Sequence, residues 1–187
     1  LPPSYGMEID LRSDPNVPGF IYLSHDAWCK GESLEKWLDE YSRLNKKGPI
    51  ILNTKEDGLE HRCLEVLEKY QIKDYFFLDT SLPTLVNWTQ ALSNSKFGVR
   101  LSLFEPLELA ERFSGKAEWL WVDCFQGIPL DVELVLKLKN TFKICLVSPE
   151  LQKQDLISSM SRFKELALIS NAICTKDPQS WSDYLGI

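Results

Sequence analysis

The chain has 187 residues, 44% of them hydrophobic, and a formal net charge of −6 at pH 7. That is enough chain for a domain with a sizeable core, and the negative balance argues against non-specific nucleic-acid binding, which needs a basic face. No apolar run reaches membrane-spanning length and no signal peptide is visible, so the expectation is a cytoplasmic protein without a transmembrane segment.

Short β-rich runs alternate with amphipathic stretches. Strands are expected at 6–12 (GMEIDLR) and 19–25 (GFIYLSH), the two forming one hairpin-like unit. A helix is predicted over 33–46, where Leu34, Trp37, Leu38, Tyr41 and Leu44 recur at helical spacing behind Ser33 as N-cap. Strand 49–55 (PIILNTK), helix 58–70, strand 74–80 (DYFFLDT) and helix 82–94 follow. Then come strand 97–103 (FGVRLSL), helix 105–113, strand 118–125 (EWLWVDCF), helix 130–140, strand 142–148 (FKICLVS) and helix 150–162. A last strand lies within 166–176 (LALISNAICTK), and PQSWSDYLGI closes the sequence.

The strands are near-continuous apolar runs, the pattern of a parallel sheet covered on both faces. From residue 49 the strand–helix units recur every 20–25 residues without linkers or low-complexity segments, which predicts a single domain over 1–187 of α/β class. A doubly wound open sheet fits this rhythm too, but G-x-G-x-x-G and G-x-x-x-x-G-K are both missing. A (β/α)8 TIM-type barrel is the favoured architecture. Seven of its positions are filled, and the sequence is short against the roughly 250 residues typical of such barrels. The opening LPPSYG reads as the continuation of an upstream segment, so the expectation is that the first barrel strand precedes Leu1.

In such a barrel function sits where strands end. The polar residues there are Glu8, Asp10, His25, Asp26, Asn53, Lys55, Asp79, Arg100, Ser102, Glu105, Asp123, Glu150, Lys176 and Asp177. Glu8 and Asp10 are two apart in a strand and project to one side, where their mutual repulsion suits a divalent cation such as magnesium or calcium. His25 can do acid–base work near neutral pH, whereas His61, in a helix, reads as a surface residue. Lys55 offers a point charge to phosphate. Two metal ligands, an acid–base group and a cation make the inventory of phosphodiester cleavage.

These residues resemble the glycerophosphodiester phosphodiesterase family, within the phospholipase C-like phosphodiesterase barrels. GMEIDLR is similar to its metal-binding Glu-x-Asp strand, YLSHDAW to its His-Asp motif, ILNTK to the strand that ends in Glu-x-Lys, and AICTKDP to its final strand. The resemblance implies a metal-dependent phosphodiesterase of lipid metabolism acting on a small glycerophosphodiester-like substrate. Glu8, Asp10 and Asn53 would hold the cation, His25 would be general acid or base, and Lys55 would stabilise charge on phosphate. A neighbouring substrate hydroxyl would attack the phosphate and form a cyclic phosphate that water then opens. Arg100, Glu105, Asp123 and Trp28 are the candidates to read the alcohol.

Two departures stand out. The family's opening His-Arg-Gly, carrying a second histidine, is absent, and Asn53 stands where an acidic residue is usual. Both favour a non-catalytic phosphate-binding barrel as the first alternative, and an unrelated barrel enzyme is the second. Of the six tryptophans only Trp28 is read as belonging to the pocket, the others as core. The five cysteines form no C-x-x-C pair and are expected to be buried, reduced thiols. Oligomeric state is not legible in the sequence.

Overall fold

The computed structural model describes residues 2–93 and 95–186. They fall into two compact units, Leu1–Leu92 and Ser93–Ile187, and the strands pair as two four-stranded sheets, one per unit, rather than as one closed ring.

The first unit contains β1 (Met7–Ser13), β2 (Ile21–Leu23), α1 (Leu34–Arg43), β3 (Ile50–Thr54), α2 (Glu60–Lys69), β4 (Tyr75–Leu78) and α3 (Leu82–Val86). A π-helical turn, Asn87–Ala91, continues α3, and there Thr89 Oγ1 donates to the Leu85 carbonyl at 2.7 Å. Asn94, the expected end of the helix over 82–94, lies outside the described residues. Sheet order is β2-β1-β3-β4, with β1 antiparallel to β2 and parallel to β3. The hairpin expected over 6–25 is therefore present. All five residues of β3 are buried, the apolar Ile50, Ile51 and Leu52 and the polar Asn53 and Thr54 that follow.

Local chemistry fixes the element ends. Ser33 Oγ accepts from the Lys36 amide at 3.2 Å and starts α1, whose buried Leu34, Leu38 and Tyr41 recur at four and three residues. Tyr41 Oη donates to the Gly48 carbonyl at 2.7 Å. A Cβ on Gly48 would stand 2.3 Å from the Tyr5 carbonyl carbon, so only glycine lets the chain ahead of β1 lie against the entry to β3.

The second unit contains β5 (Gly98–Leu101), α4 (Leu107–Arg112), β6 (Trp119–Val122), α5 (Val132–Leu138), β7 (Lys143–Val147), α6 (Leu156–Ile169), β8 (Ala172–Cys174) and α7 (Pro178–Leu185). Its sheet, β5-β6-β7-β8, is parallel throughout. Phe97, Phe113 and Phe163 are among its fully buried side chains, each contributing about 1.5–3 kcal/mol by leaving water.

Two expected boundaries shift. The helix predicted over 150–162 is a 3-10 turn, Pro149–Gln152, that ends at left-handed Lys153 (φ 61°). Helix α6 starts afresh behind Asp155, whose carboxylate accepts from the Ser158 amide at 2.9 Å. Leu166 and Ala167, expected to open the last strand, are buried on α6 with Met160 and Phe163 at helical spacing. Helix α7 was not anticipated; Asp177 caps it, Pro178 occupies its first turn, and Trp181 anchors it by donating Nε1 to Ser148 Oγ at 2.8 Å.

Candidate functional site

Strand β1 has two unlike faces. Ile9 and Leu11 are buried, while Glu8, Asp10 and Arg12 alternate with them on the other side. The parallel register sets Asp10 beside Asn53 of β3. Asn53 Nδ2 donates to Glu8 Oε1 at 2.8 Å, and Lys55 Nζ lies 2.9 Å from Asp10 Oδ1. Glu8, Asp10, Asn53 and Lys55 thus lie together on β1 and at the end of β3.

The cluster is electrostatically unsettled. Asp10 Oδ1 is within ion-pair distance of Lys55 but lacks the alignment of a hydrogen bond, and Asn53 Oδ1 is buried with no hydrogen-bond partner. Glu8 is solvent-accessible as a residue, yet its carboxyl is held above the ordinary carboxylate range. Desolvation is the main cause; Asp10 and Asp79 add to it, and the Asn53 amide and Lys55 oppose it.

Hard oxygen donors with unsatisfied lone pairs suit magnesium or calcium. Among the described residues there is no metal-type cluster of three His, Cys, Asp or Glu. The donor set is two carboxylates and one amide, a fit in donor type with less charge than three acids would bring.

His25 reaches this region by the backbone. Strand β2 runs antiparallel, so the chain beyond it returns alongside β1, and the Ser24 amide donates to the Asp10 carbonyl at 3.0 Å. Gly31 makes the fold-back possible: a Cβ there would stand 1.8 Å from the Leu23 carbonyl oxygen. The His25 ring is open to solvent, its Nδ1 2.8 Å from Asp26 Oδ1. With Nδ1–H on Asp26, Nε2 is the basic nitrogen. The His25 carbonyl accepts from Arg12 Nη2 at 3.1 Å. Trp28, in the same loop, is 97% exposed at φ 67°.

The second unit assembles its own strand-end cluster. Arg100 on β5 pairs with buried Asp123 after β6, and Gln152 Nε2 donates to the other Asp123 oxygen at 2.6 Å. Glu105 accepts from Ser102 Oγ and lies 4.0 Å from Arg100 Nε. The guanidinium also faces the Phe125 ring at 5.9 Å. Farther along, Glu150 gathers Ser148 Oγ, Thr175 Oγ1 (2.6 Å) and the Lys176 amide (3.0 Å).

Arg12 and Gln152 were missed as site residues. The two-residue spacing from Asp10 to Arg12 could have revealed the first; nothing local points to the second. The thiols follow expectation in part. Cys63, Cys124 and Cys145 are buried, burial pushing Cys63 up to about 12 and Cys124 up to about 11, and all five are free. Cys29, expected to be buried, is exposed, beside Trp28, which is itself exposed. His61 is exposed as expected, its ring 4.5 Å from that of Trp88.

No protein-family model matches the chain, and no curated protein matches it in sequence. Solved structures do share its fold. A Galdieria sulphuraria protein assigned to the glycerophosphodiester phosphodiesterases is 17% identical with a TM-score of 0.75, over 97% of this chain and 85% of that one. A glycerophosphoryl diester phosphodiesterase from Parabacteroides distasonis is 13% identical with a TM-score of 0.65, over 98% and 76%. An Oleispira antarctica phosphodiesterase, solved with the product sn-glycerol-3-phosphate, is 16% identical with a TM-score of 0.69, over 96% and 84%. The family resemblance read from the motifs is thus met by a shared α/β fold with parallel strands. No helix of the described residues is long and apolar enough to cross a membrane.

Proposed function

We propose that the protein is a phosphodiesterase acting on a small glycerophosphodiester-like substrate, on a (β/α)8-type barrel. The observation that carries this reading is the cluster of Glu8, Asp10, Asn53 and Lys55 on one face of β1 and β3, in a chain whose fold is shared with glycerophosphodiester phosphodiesterases. Glu8, Asp10 and Asn53 would hold a magnesium or calcium ion. Bound there, the ion would supply positive charge against a phosphoryl oxygen. Lys55 stabilises the negative charge that grows on phosphate as the new P–O bond forms and the bond to the alcohol breaks. His25 Nε2 takes the proton of the attacking hydroxyl or, once protonated, gives one to the departing alkoxide. Asp26 holds the ring in the tautomer that leaves Nε2 basic. Trp28, in the same unit as this cluster, remains the candidate to read the alcohol.

A second reading has its own support. Lys55 already stands against Asp10, and Asn53 brings no charge, so the same cluster could hold a phosphate-bearing ligand without cleaving it. A single assay separates the two: release of glycerol phosphate from a glycerophosphodiester with magnesium or calcium, against the same reaction in chelator. Metal-dependent release that is lost in His25→Gln supports the enzyme. A folded protein that binds the product and releases none in any divalent metal supports the binding module.

A further inference from the structure

The geometry points to Arg12 as a phosphate-binding residue that works beside Lys55. Arg12 sits two residues beyond Asp10 on β1, on the face that carries Glu8 and Asp10. The register that sets Asp10 beside Asn53 and Leu11 beside Thr54 continues to Arg12 and Lys55, and the Lys55 amide donates to the Leu11 carbonyl at 3.1 Å. Two cations therefore stand next to each other on one face at the ends of two parallel strands.

The cations differ in how they are compensated. Lys55 has Asp10 at 2.9 Å. Arg12 has no carboxylate within ion-pair distance among the described residues, although it is half-buried, and its Nε–H is buried without an acceptor. Arg43, Arg62 and Arg100 pair with acids, and Arg112 and Arg162, which have no ion pair among the described residues, are exposed, unlike Arg12. Among the described residues the Arg12 side chain makes one hydrogen bond, Nη2 to the His25 carbonyl at 3.1 Å, which fixes the guanidinium without neutralising it. A half-buried cation with an unmet donor is costly unless an anion arrives, and a guanidinium presents forked donors that match two phosphate oxygens. The missing counter-ion is therefore the phosphoryl group of the ligand, gripped by Arg12 from β1 and Lys55 from β3. This rests on the phosphate-ligand reading of the site but not on catalysis.

The test is orthophosphate binding by calorimetry, and by the rise in Tm that phosphate causes, in wild type, Arg12→Gln and Arg12→Lys. Arg12→Gln is expected to weaken phosphate by roughly 10–100-fold and to abolish the phosphate-induced rise in Tm, while its ligand-free Tm stays near wild type. Arg12→Lys, which keeps the charge but not the fork, is expected to fall between. Phosphate binding unchanged in Arg12→Gln overturns the inference, even if glycerophosphodiester hydrolysis proceeds and the enzymatic reading stands. Phosphate binding by wild type that is lost in Arg12→Gln, with no hydrolysis of any glycerophosphodiester, supports the inference and removes the enzymatic reading. Wild type that does not bind phosphate overturns both.

Discussion

The two sheets treat their strand-end polar groups in opposite ways. In the second unit Arg100, Asp123, Gln152, Glu105 and Ser102 meet one another's charges and hydrogen bonds, and Glu150 is saturated by Ser148, Thr175 and Lys176. In the first, Arg12 Nε and Asn53 Oδ1 are buried without a hydrogen-bond partner, and Asp10 Oδ1 has the Lys55 ion pair but no hydrogen bond. Each buried polar group left unmade costs about 1–3 kcal/mol, so a satisfied cluster serves the fold and an unsatisfied one is open to a ligand. The difference supports reading the polar face of β1 and β3 as the binding side and the polar ends of β5, β6 and β7 as scaffolding.

The comparison breaks most visibly if activity and stability respond to the wrong sheet. Lys55→Gln and His25→Gln should each lower kcat/KM for a glycerophosphodiester by roughly 100–10,000-fold while leaving the urea midpoint close to wild type. Asp123→Ala should do the reverse to stability. It strands the Arg100 guanidinium, one quarter exposed, and removes the acceptor of Gln152, so urea unfolding should show a loss of about 3 kcal/mol. An Asp123→Ala variant as stable as wild type would mean that the second cluster is no scaffold.

A smaller effect separates the units by sign. Glu8, with its pKa raised by desolvation, is better neutral in the folded protein; its contribution is full below the unfolded value near 4.5 and is lost as pH rises through the higher folded value. Glu118 carries the opposite sign. Desolvation is its largest single influence and pushes up, but Lys143 at 2.6 Å and Lys96 at 3.0 Å together hold its carboxyl below the ordinary value. Its stabilisation is present above pH 4.5 and is lost as pH falls through the lower folded value. In chelator at pH 7, Glu8→Gln should therefore raise Tm and Glu118→Gln should lower it, by a few degrees or less, and both differences should vanish near pH 3. Adding magnesium should raise the Tm of wild type and not of Glu8→Gln.

Much of this contrast was legible in the sequence, because it rests on periods of two and on apolar runs. Glu8 and Asp10 had to share a face, as did Asn53 and Lys55, and each strand from β3 to β8 lies within or overlaps its predicted run. What was not legible depends on pairing between distant segments. The register that brings Asp123 to Arg100 is set by Arg100 opposite Trp121, and no local signal gives that. The hairpin of β1 and β2 was expected, but not its register, Leu11 opposite Leu23, which sets the Ser24 amide on the Asp10 carbonyl. Arg12 was passed over as the end of an apolar strand, although its two-residue spacing from Asp10 sets it on the same face. The boundary between the 3-10 turn and α6 turned on one left-handed residue, Lys153, whose identity does not announce that conformation.

The smallest effect tests the exposed edge of the first unit. Trp28 is 97% exposed at φ 67°, while the other five tryptophans are buried or half-buried. A side chain in that position contributes almost no packing, and the left-handed backbone costs a bulky residue about 1 kcal/mol that glycine would not incur. Trp28→Gly should therefore leave the fold as stable as wild type or slightly more so, read as Tm. If the indole is kept there to lie against a ligand's alcohol, the same variant should raise KM several-fold with kcat unchanged, and Trp28→Phe should recover part of the loss. A Trp28→Gly variant with wild-type KM would confine recognition in the first unit to the polar face of β1 and β3.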